Sequence, residues 1–535
     1  MDKAEHKERE HFFSQAKLQA AITMVSRILG LIRDVGITRL GANASTDAFG
    51  MAFQIPNLFR RLFGEGALAS AFVPVFTDVN EKEGFEKASK LLANALALLA
   101  VFLSGLMLVG EIGFFIFSLF PGPADRQLFS ILALIMFPYM FTVCLLALCS
   151  AALNSRGHFA YPAAAPIVFN IFGIVAAYFI APFIADLSSK LVIIAFSVVI
   201  AGVVQLALVL WLLNSSGFEI RPKISPREPG IKPILILLGP MLLGLGFLQF
   251  SEFLQTWLAW NLRATDESQG FKLLGYYIAY PLDEGVIVRV NAARAFYQLP
   301  LGVLAVSLGV AVFPLLSRYA LRNDTVNLRQ AVNRALRLSL MEGLATGTGL
   351  FLLAEPIMLA FYASGKHSRF TPADAAQAAY ILKLYAVGMW AYCSYQILAR
   401  SFYALKDTQT PLKISCGLVV VNFMLILSLI WIPAIGPGVF GLSTAITFAI
   451  NVLILIYLLR KRLGALDGRH VFYSVLRSLA ACGAMAAVVS TIRYYMAGVS
   501  AWYVLAACVP AGGITFIGAV VLMKSPEIRE LLNRN

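Results

Sequence analysis

Apolar runs of about twenty residues recur fourteen times along this chain, each closed by glycine, proline or charge, and they leave it few folds to choose from. A bilayer core takes roughly 20 helical residues to cross. Hydrocarbon offers no partner to exposed backbone N–H and C=O groups, so spanning segments must be helices or closed barrels. Runs of this length predict helices, near residues 16–39, 47–78, 88–120, 126–152, 161–183, 189–214, 231–262, 285–318, 327–353, 373–405, 411–432, 437–460, 470–492 and 500–523. With 59% hydrophobic and 13% charged residues among 535, an ordinary soluble globule is excluded. The expected fold is an all-α polytopic membrane protein of about 14 transmembrane helices.

The net charge of +14 points to nucleic acid only until the basic residues are placed. They collect in every second link, as in Lys82, Lys87 and Lys90, Arg318, Arg322 and Arg329, or Arg460, Lys461 and Arg462, while the link after the seventh run carries Asp266, Glu267, Asp283 and Glu284. This alternation places both termini in the cytoplasm, and no nucleic-acid partner is expected. The opening MDKAEHKEREHFFSQ carries both signs of charge and no small-residue cleavage site, so residues 1–15 read as a cytoplasmic tail rather than a removable signal. The six cysteines lie in apolar runs without CxxC or metal-ligand spacing and read as small buried hydrophobes. No metal or cofactor is expected, beyond a coupling ion or the membrane potential as an energy source.

The chain also repeats. Ala152-Leu153-Asn154 followed by Asn170 recurs as Ala404-Leu405-Lys406 followed by Asn422, and Gln54-Ile55-Pro56 with Pro74 recurs as Gln298-Leu299-Pro300 with Pro314. The near-constant offset predicts an N-lobe of six spans at 16–214 and a C-lobe at 231–462, joined by a proline-rich link at 215–230. Two further spans at 463–523 and a cytoplasmic tail at 524–535 complete the chain. The link from Arg263 to Gly285 contains an amphiphilic FKLLGYYIAYPL and is expected on the non-cytoplasmic surface.

Between Ser26 and Pro74, Arg27, Arg33, Asp34, Asp47, Arg60, Arg61 and Glu65 interrupt apolar sequence. A charge at the centre of a membrane helix costs roughly 2.5–3.5 kcal/mol, so such residues face a bundle interior or a wet cavity. Arg27 and Asp34 share a helical face and Arg33 lies about a third of a turn away. Thr46 or Asp47 stands where the second helix would be capped, and Pro56, Gly64 and Gly66 predict a broken or kinked helix there. Several guanidiniums in a low-dielectric cleft suit phosphate or pyrophosphate, which match their planar fork of donors. The alternative is that these arginines snorkel to the interface or neutralise Asp34, Asp47 and Glu65. Arg289 and Arg294 enter the eighth run from the second half. Glu252 is the lone acid of the seventh run, a site for a proton or cation or the partner of a base.

The strings SRILGLIRD, STDAF, AFQIPNLFRRLFGEGALASAFVP and FYQLPLGV resemble the MurJ (MviN) lipid II flippase family of the MOP exporter superfamily. The resemblance implies two six-helix lobes around a central cavity, a lipid-tail groove on the last two spans, and alternating access. The implied substrate is the undecaprenyl-pyrophosphate-linked peptidoglycan precursor, lipid II, carried from inner to outer leaflet of the bacterial cytoplasmic (inner) membrane. Membrane lipids and cell-wall synthesis proteins are the implied partners, and the activity is transport rather than catalysis. The family's substrate-binding arginines fall on Arg27, Arg33 and Arg60, and its functionally important acid on Asp47. The family's span-eight arginine stands five residues before the QLP proline, where this chain has Ala295; Arg294 is one place earlier and takes the role only if the helix is locally rewound. Asp34, Asp47, Glu65 and Arg61 are expected in charge pairing or gating. By position, Glu252, Asn422 and Thr447 are candidates for a cation site, since some members resemble sodium-coupled transporters.

On the same scaffold, the alternative is a MATE-like cation or drug exporter, or a polysaccharide-repeat exporter. A drug-cation exporter favours acidic cavity residues, and the balance here is basic. A membrane enzyme acting on polyprenyl phosphates would need metal-binding acids or a nucleophile and base, whereas the histidines are scattered at 6, 11, 158, 367 and 470.

Overall fold

In a computed structural model, the chain is described over residues 3–219, 225, 228–266, 268–365 and 367–527, without the side chains of 3–17, 19–20, 64–67, 240–245, 247–248 and 273. The helices fall one for one on the apolar runs. They are α1 (Lys3–Thr38), α2 (Ala44–Glu83), α3 (Phe85–Leu119), α4 (Ala124–Ser155), α5 (Ala160–Phe183), α6 (Leu187–Ser215) and α7 (Ile231–Asn261), followed by α8 (Val286–Leu321) and α9 (Thr325–Ala363). Then come α10, in two segments (Pro372–Val387 and Met389–Ala404) broken at Gly388, α11 (Gln409–Leu429), α12 (Gly436–Leu463), α13 (Gly468–Tyr495) and α14 (Ala501–Leu522). Among the described residues, 11 of these stretches are long and apolar enough to cross a membrane; α1, α7 and α10 are the others. Of the expected tail at 1–15, residues 3–15 form the start of α1 rather than a separate element.

Asn43, not Thr46 or Asp47, caps α2. Its side chain accepts from Thr46 N–H at 3.0 Å while Thr46 Oγ1 accepts from Asn43 N–H at 3.0 Å, a reciprocal capping box. Gly41, at φ 108°, turns the chain just before this cap, and Asp47 is carried into the first turn, where it is fully buried. Where a broken or kinked helix is expected around Pro56, the chain does not break but widens into a π-helical stretch at Arg60–Ala67. A proline lacks the N–H that regular helix pairing needs, and longer-range bonding lets the chain run on. The repeat shows the same device: Pro300 is followed by a π stretch at Leu301–Ala305.

The link after α7 holds an antiparallel hairpin of β1 (Gly270–Leu273) and β2 (Tyr276–Ala279), with Gly270 opposite Ala279 and Leu273 opposite Tyr276. Leu274 and Gly275 turn it with φ 50° and 87°, the doubly positive pattern that matches strand twist. This pairing was not expected from the amphiphilic string, because leucine is a rare residue at such a position.

Two compact units divide the chain, one of residues 1–261 with 265–269, the other of 262–264 with 270–535. The first unit therefore includes α7, which packs on α2 and its π stretch. Within it α1 lies on α5, α2 on α4, and α6 on α4 and α5. The part of the 215–230 link that is described is tied to α3: Asn94 donates to Ser225 O at 2.7 Å and accepts from Ser225 N–H at 2.8 Å. In the second unit α9 is central, packed by α8, α10, α13 and α14. Leu316, Val332, Leu336, Leu398, Phe402 and Leu455 form its buried core.

Candidate functional site

Arg33 is the best-defined cation of the first unit. Its Nε and Nη2 donate to Asp34 Oδ1 at 3.0 and 2.7 Å, and its Nη1 donates to Asn170 Oδ1 on α5 at 2.9 Å. Asn170 is fixed in turn by its own donation to Ser26 O at 2.8 Å, so the amide oxygen can only face the guanidinium. The guanidinium carbon lies 4.8 Å from the centroid of Phe169, within cation–π range. Beneath the stem is Gly173, where a Cβ would stand 2.6 Å from Arg33 Cδ and 2.7 Å from Cγ. A guanidinium has five N–H donors, and these contacts leave one on each terminal nitrogen available to an anion.

Around this group lies an aromatic layer. Phe169 stacks on Phe53 at 6.2 Å and on Tyr139 at 5.3 Å, and Phe53 stacks on Phe49 at 6.3 Å. Tyr139 of α4 is buried, and the charges of Arg60 and Arg33 both act on its hydroxyl, so α1 and α2 bring these two arginines to one neighbourhood. Arg60 donates from Nε to Asn57 Oδ1 at 2.9 Å. Arg61, one residue on, turns elsewhere and forms an ion pair with Glu252 of α7, at side-chain exposures of 20% and 26%. Glu252 is therefore the partner of a base in this arrangement. Arg27 is exposed on α1 with no ionic or hydrogen-bonding partner among the described residues. The Glu65 side chain lies outside the described residues.

In the second unit, Arg289 and Arg294 are both buried on α8, at 5% and 8% exposure. Arg289 donates to Asp374 Oδ1 at 3.1 Å and to Glu284 O at 2.7 Å, and Asp374 closes the capping box with Thr371 at the start of α10. Arg289 is thus a structural tie. The helix runs regularly through Arg294, and its rewound turn lies beyond, at Leu301–Ala305. Asn422 and Thr447 are buried on the packed pair α11 and α12. The Thr447 hydroxyl donates to its own helix, at 2.9 Å to Ser443 O and 3.0 Å to Thr444 O, and Asn422 Oδ1 has no hydrogen-bond partner among the described residues. Glu252 belongs to the other unit and is not joined to them within either one.

The paired helices α13 and α14 use their small residues in two ways. Gly512 packs on Val489 and Met485, whereas Gly483, Gly513 and Gly518 have nothing within 4 Å and Ile514 and Ile517 are exposed. Sequence reasoning missed Phe169, Tyr139, Asn57 and Gly173 as parts of the site. Asn170 had been marked only as a repeat position.

The family model described as lipid II flippase MurJ matches residues 37–509. A probable lipid II flippase MurJ of Vibrio cholerae is 31% identical over 440 residues, covering 80% of this chain and 78% of that protein. The lipid II flippase MurJ of Burkholderia cenocepacia is 31% identical over 455 residues, covering 83% of each. Among solved structures, a lipid II flippase MurJ in an inward closed conformation aligns with a TM-score of 0.76 and 24% identity, over 96% of this chain and 100% of that one. An inward-facing multidrug resistance MATE family transporter of the MOP superfamily aligns with a TM-score of 0.67 and 14% identity, over 85% and 99%. These two likenesses concern the fold; the family match and the curated relatives carry the assignment, and the chain belongs to the lipid II flippase MurJ family.

Proposed function

We propose that this protein carries lipid II from the inner to the outer leaflet of the bacterial inner membrane by alternating access, without covalent change to the substrate and with both termini in the cytoplasm. The observation that carries the reading is the braced guanidinium of Arg33, held by Asp34, Asn170 and Phe169 with free donors remaining. A side chain fixed in this way gives up little freedom on meeting a pyrophosphate, so more of the charge-assisted bonding survives as affinity. Arg27, Arg33 and Arg60 of the first unit and Arg294 of the second are the groups that meet the pyrophosphate during the cycle. Asp34 and Asp47 orient them, and Arg61 with Glu252 locks α2 to α7. The open glycines of α13 and α14 suit a shallow track for the prenyl tail.

The basic balance of these groups favours an anionic substrate over the cations of a drug exporter. The test is translocation of lipid II by the full chain in reconstituted vesicles, with Arg27, Arg33 and Arg60 changed singly to alanine. Loss in Arg33→Ala and Arg60→Ala is expected; wild-type rates in all three variants would sink the reading.

A further inference from the structure

A carboxylate that the arginine site does not use lies half-buried at the middle of α9 in the second unit. Glu342 stands 17 residues from the start of α9 and 21 from its end, about 26 and 32 Å along the helix axis. One of its oxygens, Oε2, is fully occluded and has no hydrogen-bond partner among the described residues. Its next-door residue, Gly343, packs so closely on α10 that a Cβ would stand 2.6 Å from Trp390 Cα, and one turn on a Cβ at Gly347 would stand 2.7 Å from Ala386 O. The two backbones are thus in contact beside the half-buried acid, and they leave no room for water between Gly343 and Trp390 while they stay together.

Cations are engaged elsewhere. On its own helix Arg337 pairs with Glu527 at 3.0 Å. Among ionisable groups of the packed helices, Arg294 on α8, Lys383 and Arg400 on α10 and Arg477 on α13 make no ion pair with Glu342. The group its charge does reach is the buried thiol of Cys393 on α10, which offers no compensation. An ionised carboxylate with an unpaired, occluded oxygen at mid-span is strongly disfavoured, whereas the neutral acid is tolerated.

We propose that Glu342 is a proton-binding site of this transporter: it holds a proton while α9 and α10 are packed as described and releases it when that interface opens to water. Linkage gives the sign. A group whose proton is held more tightly in the packed state stabilises that state at low pH, and the stabilisation is lost as pH rises. Alkaline conditions therefore favour opening beside Glu342, and Glu342→Gln, neutral at every pH, keeps the interface closed. The site is distinct from the arginine cluster and needs no lipid II to be detected.

The experiment uses the full chain in lipid nanodiscs. Infrared difference spectra between acidic and alkaline buffer are expected to show a protonated carboxyl band that persists above the ordinary carboxylate range, disappears in Glu342→Gln and remains in Glu252→Gln. A second arm keeps Cys393 as the sole cysteine and follows its alkylation by a membrane-permeant maleimide. The ratio of wild-type to Glu342→Gln alkylation should rise about tenfold or more from acidic to alkaline buffer, even though an ionised Glu342 holds back the neighbouring thiol's own ionisation and by itself would lower that ratio. A band that is absent, or that survives Glu342→Gln, overturns the proton site. A ratio that stays flat with pH overturns its coupling to the interface.

Discussion

Replacing Gly173 by alanine perturbs the arginine site without touching any charge. The added Cβ would lie 2.6 Å from Arg33 Cδ and 2.7 Å from Cγ, and both are carbons whose comfortable separation is about 3.5–4.0 Å. Arg33 must therefore retreat by about 1 Å, which breaks a 2.9 Å bond to Asn170 and lifts the guanidinium from Phe169. Losing one charge-assisted hydrogen bond costs about 1.5–3 kcal/mol, or roughly 10–150-fold in affinity for the anion. Lipid II translocation in reconstituted vesicles reads this, with Gly105→Ala as the control, because a Cβ at Gly105 meets nothing within 4 Å. Equal transport by the two alanine variants would refute the idea that a precisely held Arg33 matters.

Other expectations follow from the remaining charges. Arg61→Ala and Glu252→Ala should each lower thermal stability by about 1–3 kcal/mol, a buried-pair cost discounted for partial solvent exposure; the exchange Arg61→Glu with Glu252→Arg should restore most of it, and no recovery would argue against a structural pair. Arg289→Ala should lower the unfolding temperature, since it strands Asp374 at 13% side-chain exposure, yet leave lipid II affinity of the folded fraction unchanged, whereas Arg294→Ala should weaken that affinity. In the loop after α10, burial works to raise the Asp407 carboxyl, but donors from Thr410 and Arg462 outweigh it and hold the group below its usual range. That stabilisation is present above the ordinary value of about 3.9 and is lost as pH falls through the lower folded value. The unfolding temperature of wild type should thus exceed that of Asp407→Asn at neutral pH, with the gap closing in acid.

What the sequence made legible was mostly local. Length and hydropathy locate every helix, and Asp34 was legible as a pairing acid, but helical phase groups it with Arg27 and only the structure shows it paired with its neighbour Arg33. Partners far along the chain were not legible: Asn170 lies 137 residues from Arg33, and Glu252 lies 191 from Arg61. Glu252 looked isolated for that reason. The cap of α2 was missed by three residues because Asn43 sits before the apolar run and its neighbour Thr46 is also a good cap former. A signal for Asn170 was present, since its repeat position in a helix dense with alanine and proline marked it as more than packing, but only the fold of α5 on α1 shows that it braces an arginine.

Equilibrium binding of lipid II to the full chain in nanodiscs tests the central claim most directly, comparing wild type with Arg33→Ala and Arg33→Lys. Both variants should bind roughly tenfold or more weakly, because lysine keeps the charge but cannot reproduce the braced planar fork. A polyprenyl pyrophosphate should also displace lipid II from wild type more effectively than the corresponding monophosphate. Unchanged affinity in Arg33→Ala would contradict the assignment of this residue to the pyrophosphate.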